Sequence, residues 1–407
     1  MAIDLRLLPE PITLKKGLSL LCWGVALLVF VIIGLICVFI IQFTNDITSK
    51  HMLIGVVISV ISWFVIFCLW LYSRGCKEVY AESWNRIRKE QEQQLISFGQ
   101  KPLYVIYCQL SSEFGNNNHA QAMVNGLFSI DAKPINLSGN IQKSVIYSQY
   151  PFNGLKPNDF YQKITVLFDD LQPVFTVLNH SIFNANPKHI RLFIDAPVSG
   201  KDIEKIWQEK FGEITDFHSW QIIDAKLSPV FLDSWLDDVD HDNHLLCCIS
   251  LHLFEYPTAY SAEAMTTFIC LGHKLLEDKK IYQYIQENKR LLVTLHRTEE
   301  GDKLDHVLNQ AELWGNLNDE QSQLDRLWLN SLSPEANVKI LSRYTESRIS
   351  MKNSHQINTL FGVAGYCDYW VALALAIEYT AYTKDNQLII GEKNKRFNAT
   401  VINRLSL

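Results

Sequence analysis

The chain has 407 residues, a formal net charge of −6 at pH 7 and a hydrophobic content of 48%. No dense basic stripe occurs after the basic cluster at residues 74–89, so this charge balance argues against nucleic acid as the main partner. The nine cysteines include no CxxC pair, and in a reducing compartment they are typical of apolar core positions rather than of disulfides.

Two long apolar segments dominate the N-terminal region, residues 18–43 and 52–72. A helix of about 20 apolar residues crosses the hydrocarbon core of a bilayer, so each segment is long enough to span it. Neither segment has the polar face that a helix buried in a soluble domain usually shows. A signal peptide followed by a core helix is excluded because both segments are too long and no small-residue cleavage site follows the first. We therefore predict a transmembrane hairpin over residues 17–75.

Positive charge around this hairpin is asymmetric. Lysine and arginine residues precede the first segment and follow the second, whereas Lys50 alone lies in the loop between them. The positive-inside rule then places both termini in the cytoplasm. The chain is expected to be a two-span protein of the cell inner membrane, with a cytoplasmic tail over residues 1–16 and its large soluble part, residues 76–407, on the cytoplasmic side.

Beyond the hairpin, a polar helix is predicted over residues 76–98 within a linker 76–100, and strands and helices then alternate. Strands are predicted at residues 103–110, 132–137, 144–147, 190–194, 220–223, 245–254, 291–296, 327–330, 387–391 and 398–402. Helices are predicted at residues 120–126, 160–175, 200–212, 261–277, 303–314, 334–348 and 367–383. This alternation favours an α/β fold with mainly parallel sheets, in a first lobe over 101–240 and a second lobe over 241–407.

An acidic cluster at residues 237–244 has some features of a metal-binding loop. Three aspartates take the first three positions of an EF-hand loop, namely Asp238, Asp240 and Asp242. The calcium interpretation fails because Asn243 stands at the glycine position and Ile249, not glutamate, is twelfth. His241 and His244 with a carboxylate could hold zinc, but nothing else in the sequence completes the ligand set. We predict an acidic, solvated loop and no metal site.

Residues 355–365, with the sequence HQINTLFGVAG, lead directly into the Ala-rich helix predicted over 367–383. Gly362, Ala364 and Gly365 allow backbone segments to approach closely there. Together with the closing strand pair, this stretch resembles the last third of the thiolase-like (β-ketoacyl synthase) fold. In that fold a Gly-His-Thr-x-Gly-Ala-x-Gly loop precedes an Ala-rich helix and two strands end the chain. Residues 261–265, SAEAM, resemble another part of it, and the resemblance implies a duplicated, two-lobed α/β architecture.

The sequence departs from that family at the residues that carry its chemistry. Asn358 stands at the position of the family's catalytic histidine, and asparagine cannot transfer protons as histidine does. No cysteine is predicted at the start of a helix behind a small-residue turn, where the helix dipole would acidify a nucleophilic thiol.

The other nucleophile candidates are unconvincing. Cys247 and Cys248 lie in the middle of a predicted strand, and the rest would converge only by accident of folding: Cys108, Cys270, Ser112 and His355. The resemblance therefore implies a dismantled acyl-transfer site. We predict no catalytic residue and no cofactor.

A membrane-anchored cytoplasmic protein with a degenerate thiolase-like domain is similar to the adaptor proteins that accompany lipase effectors of bacterial type VI secretion. This similarity rests on the layout of the chain and on residues 358–402. It implies a non-catalytic adaptor that binds a phospholipase or lipase effector at the inner membrane and delivers it to the secretion spike. Two alternatives are a membrane-tethered acyltransferase or condensing enzyme of thiolase-like fold, and a membrane-anchored immunity protein. The immunity protein would normally present its acting surface to the periplasm.

Overall fold

The computed structural model describes residues 3, 5–15, 17–42, 49–137, 141–212, 217–288, 291–317, 324–346, 353–383 and 386–405. Two compact units are distinguished by their internal contacts, one of residues 3–95 and one that contains residues 96–407. The last residue of the first predicted span, Phe43, and residues 44–48 of the predicted loop 44–51 lie outside the described residues.

Two helices carry the apolar N-terminal segments, α1 (Leu20–Gln42) and α2 (Ser49–Gly99). Both are long and apolar enough to cross a membrane, and their apolar windows are not buried inside the protein. The sequence predicted a second span at residues 52–72 and a polar helix at residues 76–98 that runs out of the membrane. In the structure α2 covers both and is continuous through residues 73–75. A single glycine, Gly75, costs a helix only about 1 kcal/mol and no proline is present there.

Within the unit of residues 3–95, α1 and α2 pack through small and aromatic side chains. A Cβ atom added to Gly34 would lie 1.9 Å from Ser59 Oγ, and one added to Gly55 would lie 2.3 Å from Val38 Cγ2. The missing side chains therefore let the two backbones approach, as in helix pairs in membranes. Trp23 extends the contact by packing against three aromatic rings of α2, those of Trp63, Phe67 and Trp70.

The second unit is a mixed α/β domain. Its strands are β1 (Leu103–Ser111), β2 (Ala132–Leu137), β3 (Ile141–Ser148), β4 (Lys188–Asp195), β5 (Ser219–Ile223), β6 (Leu245–His252), β7 (Ser261–Ala262), β8 (Ala264–Leu271), β9 (Val293–Leu295), β10 (Glu299–Gly301), β11 (Leu324–Asn330), β12 (Ser354–Gln356), β13 (Asn386–Lys393) and β14 (Arg396–Arg404). Its helices are α3 (His119–Val124), α4 (Phe160–Asp169), α5 (Gln172–Leu178), α6 (Gly200–Phe211), α7 (Ser228–Leu236), α8 (Lys279–Glu287), α9 (Leu304–Trp314), α10 (Pro334–Glu346), α11 (Ile357–Leu360) and α12 (Asp368–Tyr382).

Eleven of these strands form one sheet in the described part of the chain, in the order β12-β11-β13-β14-β9-β1-β8-β6-β4-β5, with β10 paired to β14. The order contains an internal repeat. If β1, β4, β5, β6 and β8 are numbered one to five, they lie in the order 3-2-4-5-1, and β9, β11, β12, β13 and β14 repeat that order. The fifth strand of each repeat is antiparallel to both of its neighbours. The two repeats meet where β1 pairs with β9.

Two expectations about the sheet were wrong. It is mixed rather than mainly parallel, because the fifth strand of each repeat runs antiparallel to its neighbours. The range 261–277, predicted as a helix, instead contains β7, β8 and a short 3-10 helix at His273–Glu277, and β8 is buried along its whole length between β1 and β6. A strand buried on both faces has no period-2 pattern, so its Ala and Met residues are typical of a helix in the sequence alone.

The boundary between the repeats lies after β8, so β6 and β8 belong to the first repeat although residues 245–271 were assigned to the second lobe. A smaller difference is that the helix predicted over 160–175 is divided into α4 and α5. Pro173 stands in the first turn of α5, where a proline lacks an N–H that the helix does not use.

Helix α12 is buried on nearly every side, as its Ala-rich sequence predicted. Eleven of its residues are buried, from Asp368 to Ile377 and Thr380. It contacts β1 and β8 of the first repeat and β11, β13 and β14 of the second. Small alanine side chains allow the helix backbone to lie close to the strands, so α12 fastens the two repeats to each other.

Several ionisable groups are also buried in this unit. Glu263 is fully buried, and its carboxylate accepts the Tyr150 N–H at 3.1 Å and lies 4.0 Å from Lys163 Nζ. Burial raises the pKa of Glu263 to about 7, although Lys163 opposes the shift. Burial lowers the pKa of His119, His296 and His355 to about 4. The folded protein therefore holds these histidines neutral at pH values where the unfolded chain would protonate them.

A fragment of residues 96–407 should fold without the N-terminal helices. The reason is that this part of the chain has its own apolar core, in three clusters of buried side chains. We expect a soluble protein with a single cooperative thermal transition in detergent-free buffer with reductant. Persistent aggregation of the fragment would mean that the apolar helices contribute to the core.

The buried histidines make stability depend on pH in a predictable direction. Between about pH 4 and 6.5 the unfolded chain binds more protons at His296 than the folded chain, so this residue destabilises the fold as pH falls. A His296→Gln variant lacks this proton-binding group. When the pH is lowered from 7 to 4.5, we expect the free energy of unfolding of the variant to rise relative to that of the unmodified protein by on the order of 1–3 kcal/mol. Urea unfolding at both pH values measures this shift.

Glu263→Gln is the control, because its effect on stability should change with pH in the opposite direction. Because the pKa of Glu263 is raised, the folded state binds the extra proton, and this carboxyl destabilises the fold as pH rises from about 4.5 to 7. The Gln variant should therefore gain relative stability towards pH 7. Equal pH profiles for all three proteins would contradict the burial that we describe.

Candidate functional site

A polar cleft of about 440 Å³ opens between the carboxyl end of β11, the segment before α12, the β13–β14 turn and the start of α7. Residues from both repeats line it. They are Ala225, Lys226, Pro229, Glu300, Asn330, Ser331, Val363, Gly365, Tyr366, Asp368, Tyr369, Gly391, Glu392, Lys393, Asn394, Arg396 and Asn398. The convergence of helix starts and strand ends makes this cleft the candidate site.

Asp368 is the buried carboxylate at the base of the cleft, in the first turn of α12. It accepts hydrogen bonds from the Ala364 N–H at 2.5 Å and from Ser331 Oγ at 2.9 Å. Asn358 lies behind Ser331, to which its side-chain amide donates at 2.9 Å. Burial raises the pKa of Asp368, and these hydrogen bonds oppose the shift. Asn358, which stands at the histidine position of the resemblance, thus supports Ser331 and is not among the residues that line the cleft.

Asp195 and His252 form a second polar pair beneath the cleft. They end the parallel neighbours β4 and β6 in the same register, and His252 Nδ1 lies 3.0 Å from Asp195 Oδ2. The same oxygen accepts the Tyr366 N–H at 2.7 Å. Burial raises the pKa of Asp195, but the bonds from His252 and Tyr366 outweigh burial and leave it below its usual value.

Gly365 is required for this contact. Its φ is +56°, and an added Cβ would lie 2.2 Å from Asp195 Oδ2 and 2.4 Å from His252 Cε1. A side chain there would therefore be strained and would collide with the pair. The sequence predicted that the glycines of residues 355–365 allow backbone segments to approach closely. The structure shows such an approach at Gly365.

Cys367 corrects one statement made from the sequence. It is the residue immediately before α12 and follows the turn at Gly365, so a cysteine does lie at a helix start behind small residues. Its thiol is nevertheless fully buried and donates to the carbonyls of Phe193 and Leu251 at 3.5 and 3.3 Å. Burial raises its pKa to about 12. Desolvation thus outweighs any acidifying effect of the helix dipole, and the thiol stays protonated.

The other four cysteines of this unit are also protonated, and three of them are core residues. Cys247, Cys248 and Cys270 are buried, and burial raises the pKa of each, to about 12 for Cys270. Cys108 lies under α12, where its Sγ is 3.8 Å from the Ala374 carbonyl oxygen, and burial raises its pKa as well. No cysteine lines the cleft in the described part of the chain.

The start of α7 in the first repeat is equivalent to the start of α12 in the second repeat, since each helix connects the third strand of its repeat to the fourth. Here Ala225, Lys226 and Pro229 face the cleft. None of them has a nucleophilic hydroxyl or thiol, and a lysine at this place adds positive charge. Lys226 Nζ lies 5.3 Å from the centroid of the Tyr366 ring.

Lys393 approaches the same ring from the β13–β14 turn. Its Nζ is 3.9 Å from the Tyr366 centroid and donates to the Gly365 carbonyl at 2.7 Å. Burial lowers its pKa, while the nearby Asp368 and Asp195 oppose the shift. The mouth of the cleft therefore has mixed, partly paired charges, and Lys393 fastens the loop before α12.

Ser112 and His355 lie outside the cleft. Ser112 Oγ is 3.0 Å from His119 Nε2, a pairing that the sequence did not predict. A nucleophile–base interpretation fails because both side chains are buried. The carboxylate of Glu378 accepts the backbone N–H groups of α3 and lies 3.9 Å from His119 Nδ1, too far for a hydrogen bond. His355 instead contacts the guanidinium of Arg326.

His241 and His244 are joined by two further histidines that the sequence did not connect with them. The rings of His189 and His244 stack at 4.9 Å, and the His218 ring is 5.0 Å from that of His189. The described residues nevertheless contain no group of three or more His, Cys, Asp or Glu side chains with metal-binding geometry. Arg191, which places a guanidinium nitrogen 3.5 Å from His189 Nδ1, also disfavours a cation here.

Sequence reasoning missed Asp195, His252, Asp368 and Lys393. A signal for the first two was present, since Asp195 and His252 are the polar residues that end two buried strands. Carboxyl ends of parallel strands meet at one edge of a sheet, where ligand sites are commonly found. No local signal marked Lys393, which reaches the cleft only through the register of the final hairpin.

Comparisons with known proteins address the fold. No protein-family model matches the sequence, and no curated protein sequence is significantly similar to it. Among solved structures, the ishigamide ketosynthase/chain length factor has a TM-score of 0.50 and 10% identity, over 75% of this chain and 100% of the other. A variant of OleA from Xanthomonas campestris (9% identity, 74% of this chain and 98% of that one) and an SCP2-thiolase-like protein from Mycobacterium smegmatis (6%, 76% and 78%) each have a TM-score of 0.44.

These similarities do not bear on the resemblance to secretion adaptors, which stays a prediction. The duplicated strand order and the first of these similarities establish the architecture. The chain has a mixed α/β, thiolase-like fold preceded by two long apolar helices.

Proposed function

We propose that the protein is a non-catalytic, thiolase-like adaptor held at the cytoplasmic face of the inner membrane. Its proposed partners are a lipase or phospholipase effector and the spike protein of a type VI secretion system. The observation that carries the non-catalytic part is the cleft itself, in which the starts of α7 and α12 present no reactive thiol among the described residues.

Acyl transfer of the thiolase type needs a nucleophile and a group that moves its proton. At the start of α12 the thiol of Cys367 is buried, and burial raises its pKa to about 12, so the thiol is protonated at pH 7. At the start of α7 there is no thiol. Asn358 holds Ser331 in place, which is a packing role.

The membrane and partner parts of the proposal rest on the sequence. Two apolar helices long enough to span a bilayer precede the domain, and the asymmetry of lysine and arginine residues favours cytoplasmic termini. The resemblance of the layout and of residues 358–402 to secretion adaptors supplies the partners. A domain tethered in this way would hold a lipase effector beside the membrane until transfer to the spike.

A condensing enzyme is the second candidate, and it is better supported by the solved structures than the adaptor is. The similarity to a ketosynthase motivates it, as does the Asp195–His252 pair below the cleft. This candidate requires Cys367 to become exposed and ionised. The immunity-protein alternative requires the opposite membrane orientation.

Capture of the effector by purified protein tests the adaptor. We expect the full chain to co-purify with a lipase encoded beside its gene. One or more of three surface variants should abolish capture while leaving the melting transition intact: Leu127→Asp, Tyr256→Asp and Val338→Asp, at side chains that are 76%, 71% and 67% exposed. An aspartate buried unpaired at an interface costs on the order of 2–5 kcal/mol of binding.

Asn358→Ala and Cys367→Ala are the controls, since neither side chain is exposed on the surface. They should change capture only as far as they change folding. The same proteins are assayed for release of acyl groups from thioesters, and no turnover is expected. Thioester turnover that disappears in Cys367→Ala would contradict the adaptor and favour the condensing enzyme.

A further inference from the structure

A small basic pocket lies in the unit of residues 3–95 and shares no residue with the cleft. Its volume is about 150 Å³, and it is formed by the segment before α1 and one face of α2. The side chains that matter are Lys15, Trp70, Arg74 and Lys77, and the backbone of Gly17 forms one wall. The proposed function does not use this pocket.

The pocket lies where both apolar segments end. The apolar run of the first segment begins at Leu18, directly after Gly17, and that of the second ends at Tyr72, just before Arg74. At a rise of 1.5 Å per residue, Lys77 is about 7.5 Å beyond the end of the apolar run. The polar headgroup layer is roughly 5–7.5 Å thick on each side of the hydrocarbon core. If the helices span a bilayer, the pocket is at the depth of the lipid phosphates.

Arg74 is held in a fixed orientation there. Its Nε donates to Glu78 Oε1 at 2.7 Å, and its guanidinium lies 5.5 Å from the Trp70 ring centroid. The NH1 atom of Arg74 lies where a side chain at residue 17 would be, since a Cβ added to Gly17 would come within 1.7 Å of it. The Glu78 contact uses Nε, so it leaves the N–H groups of the two terminal nitrogens for another acceptor.

The charge of the pocket favours an anion. Lys15, Arg74 and Lys77 contribute three positive charges, and Glu78 contributes one negative charge. The guanidinium fork matches two oxygens of a phosphate, and lysine ammonium groups add point charges around it. Trp70, which belongs to the apolar run, adds an apolar ring to the pocket lining, which suits the glycerol and first methylene groups of a lipid.

We propose that this pocket binds the phosphate of an anionic phospholipid headgroup. The inference rests on the membrane placement in the proposed function and adds a ligand to it. Binding would fix the depth of α1 and α2 in an anionic leaflet, which is the leaflet that the positive-inside rule assigns to this end of the helices.

Native mass spectrometry of the full chain in detergent tests the proposal, with phosphatidylglycerol or phosphatidylcholine added. We expect retention of phosphatidylglycerol and little retention of phosphatidylcholine. Arg74→Gln should reduce phosphatidylglycerol retention by about fivefold or more, and Arg74→Lys by less because it keeps the charge but loses the fork. Lys89→Gln, an exposed lysine further along α2, is the matched control and should retain lipid as the unmodified protein does.

Gly17→Ala tests the pocket without changing charge. Its Cβ would displace the Arg74 guanidinium, so retention should fall. Retention unchanged in Gly17→Ala, or lowered equally by Lys89→Gln, would show that net charge alone attracts the lipid and would overturn the proposal. Loss of bound phosphatidylglycerol on adding equimolar glycerol 3-phosphate would also overturn it, in favour of a site for soluble phosphates.

A separate measurement distinguishes failure here from failure of the membrane placement. After an alkaline carbonate wash, the full chain should stay in the membrane pellet. If it is washed off, the membrane placement of the proposed function fails. If it stays but retains both lipids equally in detergent, only the headgroup proposal fails.

Discussion

The thiolase-like domain depends on the burial of α12 against one continuous sheet. This helix contacts strands of both repeats, and the pairing of β1 with β9 joins those repeats only along a short stretch. The alanines of α12 let it lie close to the strands, and the segment before it must follow at the same close distance. Gly362, with a φ of +103°, and Gly365 give that segment its path beside Ala262 and Asp195.

The same constraint determines the chemistry of the candidate site. Close packing of the helix start places Cys367 among strand carbonyls rather than in the cleft, and its desolvation keeps the thiol protonated. Three polar residues in or beneath the cleft hold the loop before α12: Asp368 binds Ala364, Asp195 binds Tyr366, and Lys393 binds Gly365.

The sequence allowed much of this architecture to be predicted, for identifiable reasons. The long apolar segments, the strand at β1, the capped helix α6 and the Ala-rich helix α12 each have a strong local pattern. The strand β8 could not be found, because full burial on both faces removes the alternation that identifies strands and its composition favours helix. The polar pair beneath the cleft was harder still to predict from the sequence, since Asp195 and His252 are 57 residues apart and meet only through the register of β4 and β6. The inertness of Cys367 likewise depends on desolvation, a property of the folded protein.

The central claim is that the domain holds no activated thiol, and the alkylation rate of each cysteine in the native protein measures this most directly. The full chain is exposed to iodoacetamide across a range of pH, and the labelled sites are quantified by peptide mass spectrometry. The account predicts that Cys247, Cys248, Cys270 and Cys367 are labelled only when the protein unfolds, because all four are buried and protonated. Rapid labelling of Cys367 in the native protein, with an apparent pKa below the ordinary value of about 8.5 for cysteine, would contradict it.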